Sequence, residues 1–131
     1  MRYLLDTNIV SAWAKQSSPS ILKKFLGISP DQLAISALVQ HELLFGLALS
    51  PNIRSAVPTR EFLGIVTILP FTPACAQRAA VIRADLSRRG QPIGPYDLLI
   101  AATAIEHELI MITHNTAEFS RVNGLRLEDW F

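Results

Sequence analysis

The stretch Pro92-Ile93-Gly94-Pro95-Tyr96-Asp97-Leu98-Leu99-Ile100-Ala101-Ala102-Thr103-Ala104-Ile105, followed shortly by Ile110-Met111-Ile112-Thr113, decides the fold. Pro95 suits the first position of a helix, where its missing N–H is not needed. From Leu98 to Ile105 the residues are apolar all round, the pattern of a helix buried on every side. The spacing predicts that this helix runs to about Glu108. Ile110-Met111-Ile112 is then too short for a helix and reads as a buried strand. A buried helix leading into a short buried strand is the unit from which parallel sheets are built.

Working outward, the same alternation recurs. Tyr3-Leu4-Leu5 reads as a strand ending at Asp6, with Thr7 and Asn8 placed to cap a short helix through Trp13. Ser18-Pro19-Ser20 opens a helix through Leu26. Leu33-Ala34-Ile35 is a second strand, and Ser36 an N-cap for a helix from Ala37 to about Leu49. Pro51 and Pro58 bound a looser stretch, and Thr67-Ile68-Leu69 is a strand closed by Pro70. Thr72-Pro73 opens a helix to Arg89, stopped by Gly90. Asn115 starts a short helix, and a last strand lies near Leu125–Leu127. Strands alternating with helices predict an α/β fold, a three-layer α/β/α sandwich with a mainly parallel central sheet. In such sheets ligands bind beyond the carboxyl ends of the strands. Asp6, the helix of Glu42, and Thr113-His114-Asn115 all follow strands.

A chain of 131 residues suits a single domain spanning residues 1–131 with a real core. Half of the residues are hydrophobic and only 18% are charged, so some apolar side chains should stay exposed and invite an interface. The net charge of +1 excludes a global basic field, although Arg83, Arg88 and Arg89 form a local basic cluster. A lone cysteine, Cys75, excludes an intrachain disulfide framework and fits a reducing, cytoplasmic setting. Asp6 comes too early for a signal-peptide core, and no apolar run reaches the length of a spanning helix, so no membrane role is expected.

Three carboxylates need an explanation. Asp6 ends an apolar strand, as either a local cap or a ligand at a sheet edge. Glu42 lies mid-helix among Leu38, Val39, Leu43, Phe45 and Gly46, with no Lys or Arg between Ser36 and Asn52 to pair with it. An ionised acid among apolar groups is costly unless paired or metal-bound. Asp97 sits in the first turn of the buried helix, where the helix dipole favours a negative charge. Acids gathered at one spot repel one another, and a hard divalent cation relieves that conflict. Oxygen ligands suit Mg²⁺ or Mn²⁺, and such ions support phosphodiester hydrolysis. In the tail, Asn115 with Glu118 three residues on has the pattern of a capping box. His114 has no second histidine at metal spacing and reads as a solvent or pocket-edge residue; His41 and His107 read as ordinary helix residues.

Taken together, Tyr3-Leu4-Leu5-Asp6-Thr7-Asn8, Ile35-Ser36-Ala37 with Glu42-Leu43-Leu44-Phe45-Gly46, Pro92 through Ala102, and the tail from Thr113 to Trp130 resemble the four ordered motifs of PIN-domain ribonucleases. The resemblance is to the VapC toxins of type II toxin–antitoxin modules and covers essentially the whole chain. It implies a metal-dependent endoribonuclease toxin, with Asp6, Glu42 and Asp97 holding Mg²⁺ or Mn²⁺ and acting in catalysis. Where many members carry a fourth aspartate this chain has Asn115, so Glu118 is a further candidate ligand. Thr7, Ser36 and Asn115 are candidates for orienting ligands or substrate. The resemblance further implies a structured RNA substrate, a tRNA and in the nearest subgroup the initiator tRNA. It also implies a VapB-type antitoxin, operator DNA bound only through that antitoxin, and a homodimer. The competing readings are a catalytically degenerate PIN-like protein- or RNA-binding module, and a phosphoacceptor receiver domain. The latter needs a late lysine, and the last lysine here is Lys24.

Overall fold

The fold is described from a computed structural model covering residues 1–131. Five strands form one sheet: β1 (Tyr3–Leu5), β2 (Leu33–Ser36), β3 (Thr67–Leu69), β4 (Ile110–Ile112) and β5 (Leu127–Glu128). Their order is β3-β2-β1-β4-β5, and every neighbouring pair is parallel. Seven helices connect them: α1 (Thr7–Ala14), α2 (Pro19–Leu26), α3 (Ala37–Leu49), α4 (Ala56–Ile65), α5 (Pro73–Arg88), α6 (Pro95–Glu106) and α7 (Thr116–Phe119). The sheet expected to be mainly parallel is parallel throughout. No helix is long and apolar enough to cross a membrane.

The strand order explains where polar groups collect. From β1 the chain moves outward to β2 and then β3. After β3 it returns across the sheet to β4 and moves the other way to β5. Right-handed crossovers then place α1–α4 on one face and α5–α7 on the other. The reversal lies between β1 and β4, which pair at Leu5 and Ile112. That junction is a topological switch point, where the connections leave in opposite directions and open a crevice at the carboxyl edge. Asp6 leaves β1 at this junction and Thr113 leaves β4 beside it.

Central strands covered on both faces are apolar at every position, not at alternate ones. Leu4, Leu5, Ala34, Ile35, Met111 and Ile112 are fully buried accordingly. They join Ile9, Val10, Ile100, Ala101, Ala104 and Phe119 in one core. The small residues Ala101, Ala102 and Ala104 let the buried α6 lie close to its neighbours.

Helix starts follow the sequence with two exceptions. Ser18, Ser36 and Thr72 cap α2, α3 and α5 through their hydroxyls. The cap of α1 is Asp6 itself, which accepts from the Thr7 N–H at 2.8 Å, not Thr7 or Asn8. Pro58, read as bounding a loose stretch, lies within the first turn of α4, where no backbone donor is required of it. Gly90 ends α5 at φ +65°, a left-handed conformation that glycine adopts without strain. The helix expected to reach Glu108 stops at Glu106, and Glu108 turns to φ +55° to enter β4.

Leu4 sits at the centre of the sheet and is fully buried. Leu4→Ala should therefore cost about 2–5 kcal/mol of unfolding free energy. Urea denaturation checks this, and a loss below about 1 kcal/mol would contradict a core centred on β1.

Candidate functional site

Each acid reaches the crevice by a different route. Asp6 is positioned by the end of β1 and is 8% exposed. One of its oxygens accepts the Thr7 N–H, and the other accepts the Thr113 hydroxyl at 2.9 Å. The cap of α1 and the switch point thus fix both oxygens of one carboxylate. Glu42 arrives on α3, and its Oε2 accepts the Thr7 hydroxyl at 2.7 Å. Thr7 therefore links two acids, through its backbone to Asp6 and through its side chain to Glu42. Asp97 stands in the first turn of α6. No intrachain ion pair involves Asp6, Glu42 or Asp97: the ion pairs are Arg78–Glu106, Arg89–Asp85 and His114–Asp129.

The electrostatics record the crowding. Burial pushes the Asp97 carboxyl up to about 6, and the charges of Asp6, Glu118 and Glu42 push it the same way. Asp6 is also raised, chiefly by burial, against the opposing hydrogen bonds from Thr113 and Thr7. These acids sense one another, yet no three acidic, histidine or cysteine side chains stand close enough to form a ready cage for an ion. Their donor atoms are all oxygens, the set that suits a hard divalent cation. An acid cluster with no basic partner and a raised carboxyl fits the charge of such an ion.

The tail residues are arranged differently from a capping box. Asn115 precedes α7, but its side chain does not accept a helix N–H. Instead its Nδ2 donates to Glu118 Oε2 at 2.8 Å. Glu118 Oε1 accepts the Gly94 N–H at 2.6 Å. These two bonds, with Arg121 nearby, hold the Glu118 carboxyl below its ordinary value. Arg121 also donates to the Pro92 carbonyl at 3.0 Å. Glu118 and Arg121 together clamp residues 92–94, the segment that leads into Asp97. A Cβ at Gly94 would crowd Asp97 Oδ2 at 3.3 Å and touch Glu118 Oε1 at 3.7 Å, so the Asp97 carboxylate would have to give by a few tenths of an ångström.

The structure brings Asp6, Glu42, Asp97, Thr7, Asn115 and Glu118 to the crevice and its rim. Ser36 is different: its hydroxyl oxygen accepts the Val39 N–H at 3.1 Å and caps α3. His114 is exposed and pairs with Asp129, in keeping with a surface residue. The sequence placed Thr113 at this edge without giving it a role, and it missed Gly94. Thr113 is fully buried, and the signal for it was a hydroxyl at the end of an apolar strand. Gly94 contributes a backbone N–H and an absent side chain; its only signal was a glycine next to Pro95.

The PIN-domain pattern matches residues 3–125. The chain belongs to the PIN-domain family. Within the PIN-domain proteins it is 35% identical over 136 aligned positions to the tRNA(fMet)-specific endonuclease VapC of Shigella flexneri, covering 99% of this chain and 98% of that protein. It is 37% identical to ribonuclease VapC2 of Haemophilus influenzae, with the same coverage. Among solved PIN-domain structures, the DNA-bound VapBC of Salmonella typhimurium superposes with a TM-score of 0.89 at 32% identity, covering 100% of this chain and 99% of that one. The VapBC2 complex of Rickettsia felis, bound to a fragment of its promoter DNA, gives 0.87 at 31% identity over the whole of both chains.

Two outcomes follow for this PIN domain. Asp97 binds its proton more tightly when folded than when unfolded, so its contribution is full at low pH and is lost as pH rises from about 4 to about 6. Asp97→Asn should therefore raise the melting temperature at pH 7.5 without divalent ions, by roughly 3–5 °C after allowance for solvent screening. The gain should vanish near pH 3.5, and a gain of equal size at both pH values would contradict the crowding. Glu118→Ala should release the Gly94 amide, speeding its hydrogen exchange by about tenfold or more. Unchanged exchange would mean that the clamp holds nothing.

Proposed function

We propose that this chain is a ribonuclease toxin of a VapBC-type module, cutting RNA with Mg²⁺ or Mn²⁺ held by Asp6, Glu42 and Asp97. One observation carries the reading: three acids from β1, α3 and α6 converge without a basic partner in a fold whose relatives are ribonucleases. When bound, the cation supplies a Lewis acid and lowers the pKa of a coordinated water, which is the chemistry phosphodiester hydrolysis needs.

The chain's own residues perform the rest. Thr113 and the Thr7 N–H hold both oxygens of Asp6, which fixes the plane of that carboxylate. The Thr7 hydroxyl aims Glu42 at the same crevice. Groups that orient ligands in this way tune a metal site, and losing one typically costs about 10–100-fold in metal affinity or activity. Asp97 retains part of its proton near pH 6 until a positive charge is present, so its ionisation and cation binding are linked. Glu118 is engaged at both oxygens by Gly94 and Asn115, which supports a role in holding the 92–94 segment over direct ligation.

The substrate is read as a structured RNA, and the two tRNA(fMet)-specific relatives favour initiator tRNA. The partner is read as a VapB-type antitoxin, through which the complex engages operator DNA, as the DNA-bound VapBC structures support. A homodimer would cover exposed apolar side chains of α3, among them Leu44 and Phe45.

Purified protein should cleave total tRNA with Mg²⁺ or Mn²⁺, lose that activity in EDTA, and lose it by at least about 100-fold in Asp97→Asn. Sequencing of 5′ ends after induced expression should give one dominant cut in a tRNA. Wild type and Asp97→Asn behaving alike on RNA would sink the enzyme and leave a binding module.

A further inference from the structure

The fold gives no reason for Gly46. It lies inside α3, where glycine weakens a helix relative to alanine. Its backbone is not in the left-handed region, and a Cβ built there would meet nothing within 4 Å. Neither conformation nor packing requires it. One use of such a glycine is to let another molecule approach the backbone closely.

Its position says what approaches. Gly46 is one turn beyond Glu42 on the same face of α3, and Ser50 stands at the end of that row. Facing it, α1 presents Thr7, Ser11 and Lys15 at the same four-residue spacing. The two rows enclose a cavity of about 250 Å³ that opens from Thr7 and Glu42. This is smaller than the roughly 300–1,000 Å³ of an enclosed small-molecule pocket, and suits a thread of polymer backbone. At its outer end Lys15 is exposed and takes part in none of the chain's ion pairs. The apolar part of the wall is aliphatic, with no aromatic ring on which a base would stack.

We propose that this trough seats the ribose–phosphate backbone of RNA beside the cut. The inference rests on the ribonuclease reading above. Lys15 meets a phosphate, the chain passes over bare helix at Gly46, and Ser11 and Ser50 offer hydroxyls to the sugar and phosphate oxygens. A trough that touches only backbone positions the strand without reading its sequence.

Three full-length variants test it. Gly46→Leu fills the trough with a good helix former. Lys15→Met keeps the stem and removes the charge. Lys23→Met, on α2, removes an exposed charge outside the trough. Cleavage of total tRNA with Mg²⁺ is followed to separate KM from kcat. Binding of labelled total tRNA is followed by anisotropy over a range of salt, each variant carrying Asp97→Asn as well. Gly46→Leu should raise KM about tenfold with kcat changed less than about threefold. Lys15→Met should lower the salt slope of log Kd by about 0.7–1, and Lys23→Met should do neither. Unchanged KM and slope in both trough variants, with wild type active, would overturn the trough and leave the ribonuclease standing. Variants that bind RNA normally but lose a co-purified antitoxin would overturn it too, by giving the trough to a protein. A wild type that cleaves no RNA sinks the ribonuclease reading, and the salt slope still decides whether the trough holds RNA. Gly46→Ala, which adds only a Cβ in open space, should melt no lower than wild type and confirms that the glycine is not there for folding.

Discussion

Burial of Asp6 and Asp97 without a cationic partner, with repulsion from the neighbouring acids adding to it, is the constraint around which the rest of the structure is arranged. The protein sets no lysine or arginine against these acids as an ion pair. It tolerates the repulsion by hydrogen bonding and by leaving a proton available at Asp97. Thr113 and Thr7 offset part of the cost at Asp6, and their bonds lower what burial raises. At Asp97 no hydrogen bond opposes burial and the three neighbouring charges, and its carboxyl rises to about 6. Stability is thereby spent on a site, a pattern seen where function and folding compete.

That cost is tolerable because the scaffold beneath is apolar and closed. The strands β1 and β4 are buried on both faces and lock together at the switch point, so Asp6 and Thr113 project from a rigid edge. The α6 helix, with Ile100–Ala104 buried, brings Asp97 to the same edge by its N-terminus. The non-helical segment that leads into Asp97 is tied from α7 by Glu118, at Gly94, and from the following residues by Arg121, at Pro92. The four motifs therefore act as one device: two rigid strands, two helix starts, and a loop held by a clamp.

The relatives and the geometry divide the functional argument between them. Similarity over nearly the full length places the chain with VapC ribonucleases and their antitoxin complexes. The side chains supply what similarity leaves open, namely how each acid is held and why Glu118 is engaged elsewhere. They also show what Asn115 does at the rim. Asn115 donates a hydrogen bond to Glu118, which an aspartate at that position could not do when ionised.

The sequence by itself determined the alternation of strands and helices, because burial on both faces writes an unbroken apolar run into Leu33–Ile35 and Ile110–Ile112. It also determined three acids, since Glu42 had no local counter-charge and Asp97 opened an apolar helix. Caps at Ser18, Ser36 and Thr72 were legible because an N-cap is a local bond of three residues' span. Tertiary structure alone decided the strand order, and with it the meeting of Thr113 with Asp6 across 107 residues. It alone turned the expected capping box into a clamp on Gly94, 24 residues away. The physical reason is common to both: periodicity and capping are short-range and repeat along the chain. A single hydrogen bond between distant segments leaves no pattern in either segment, and only folding brings its two ends together.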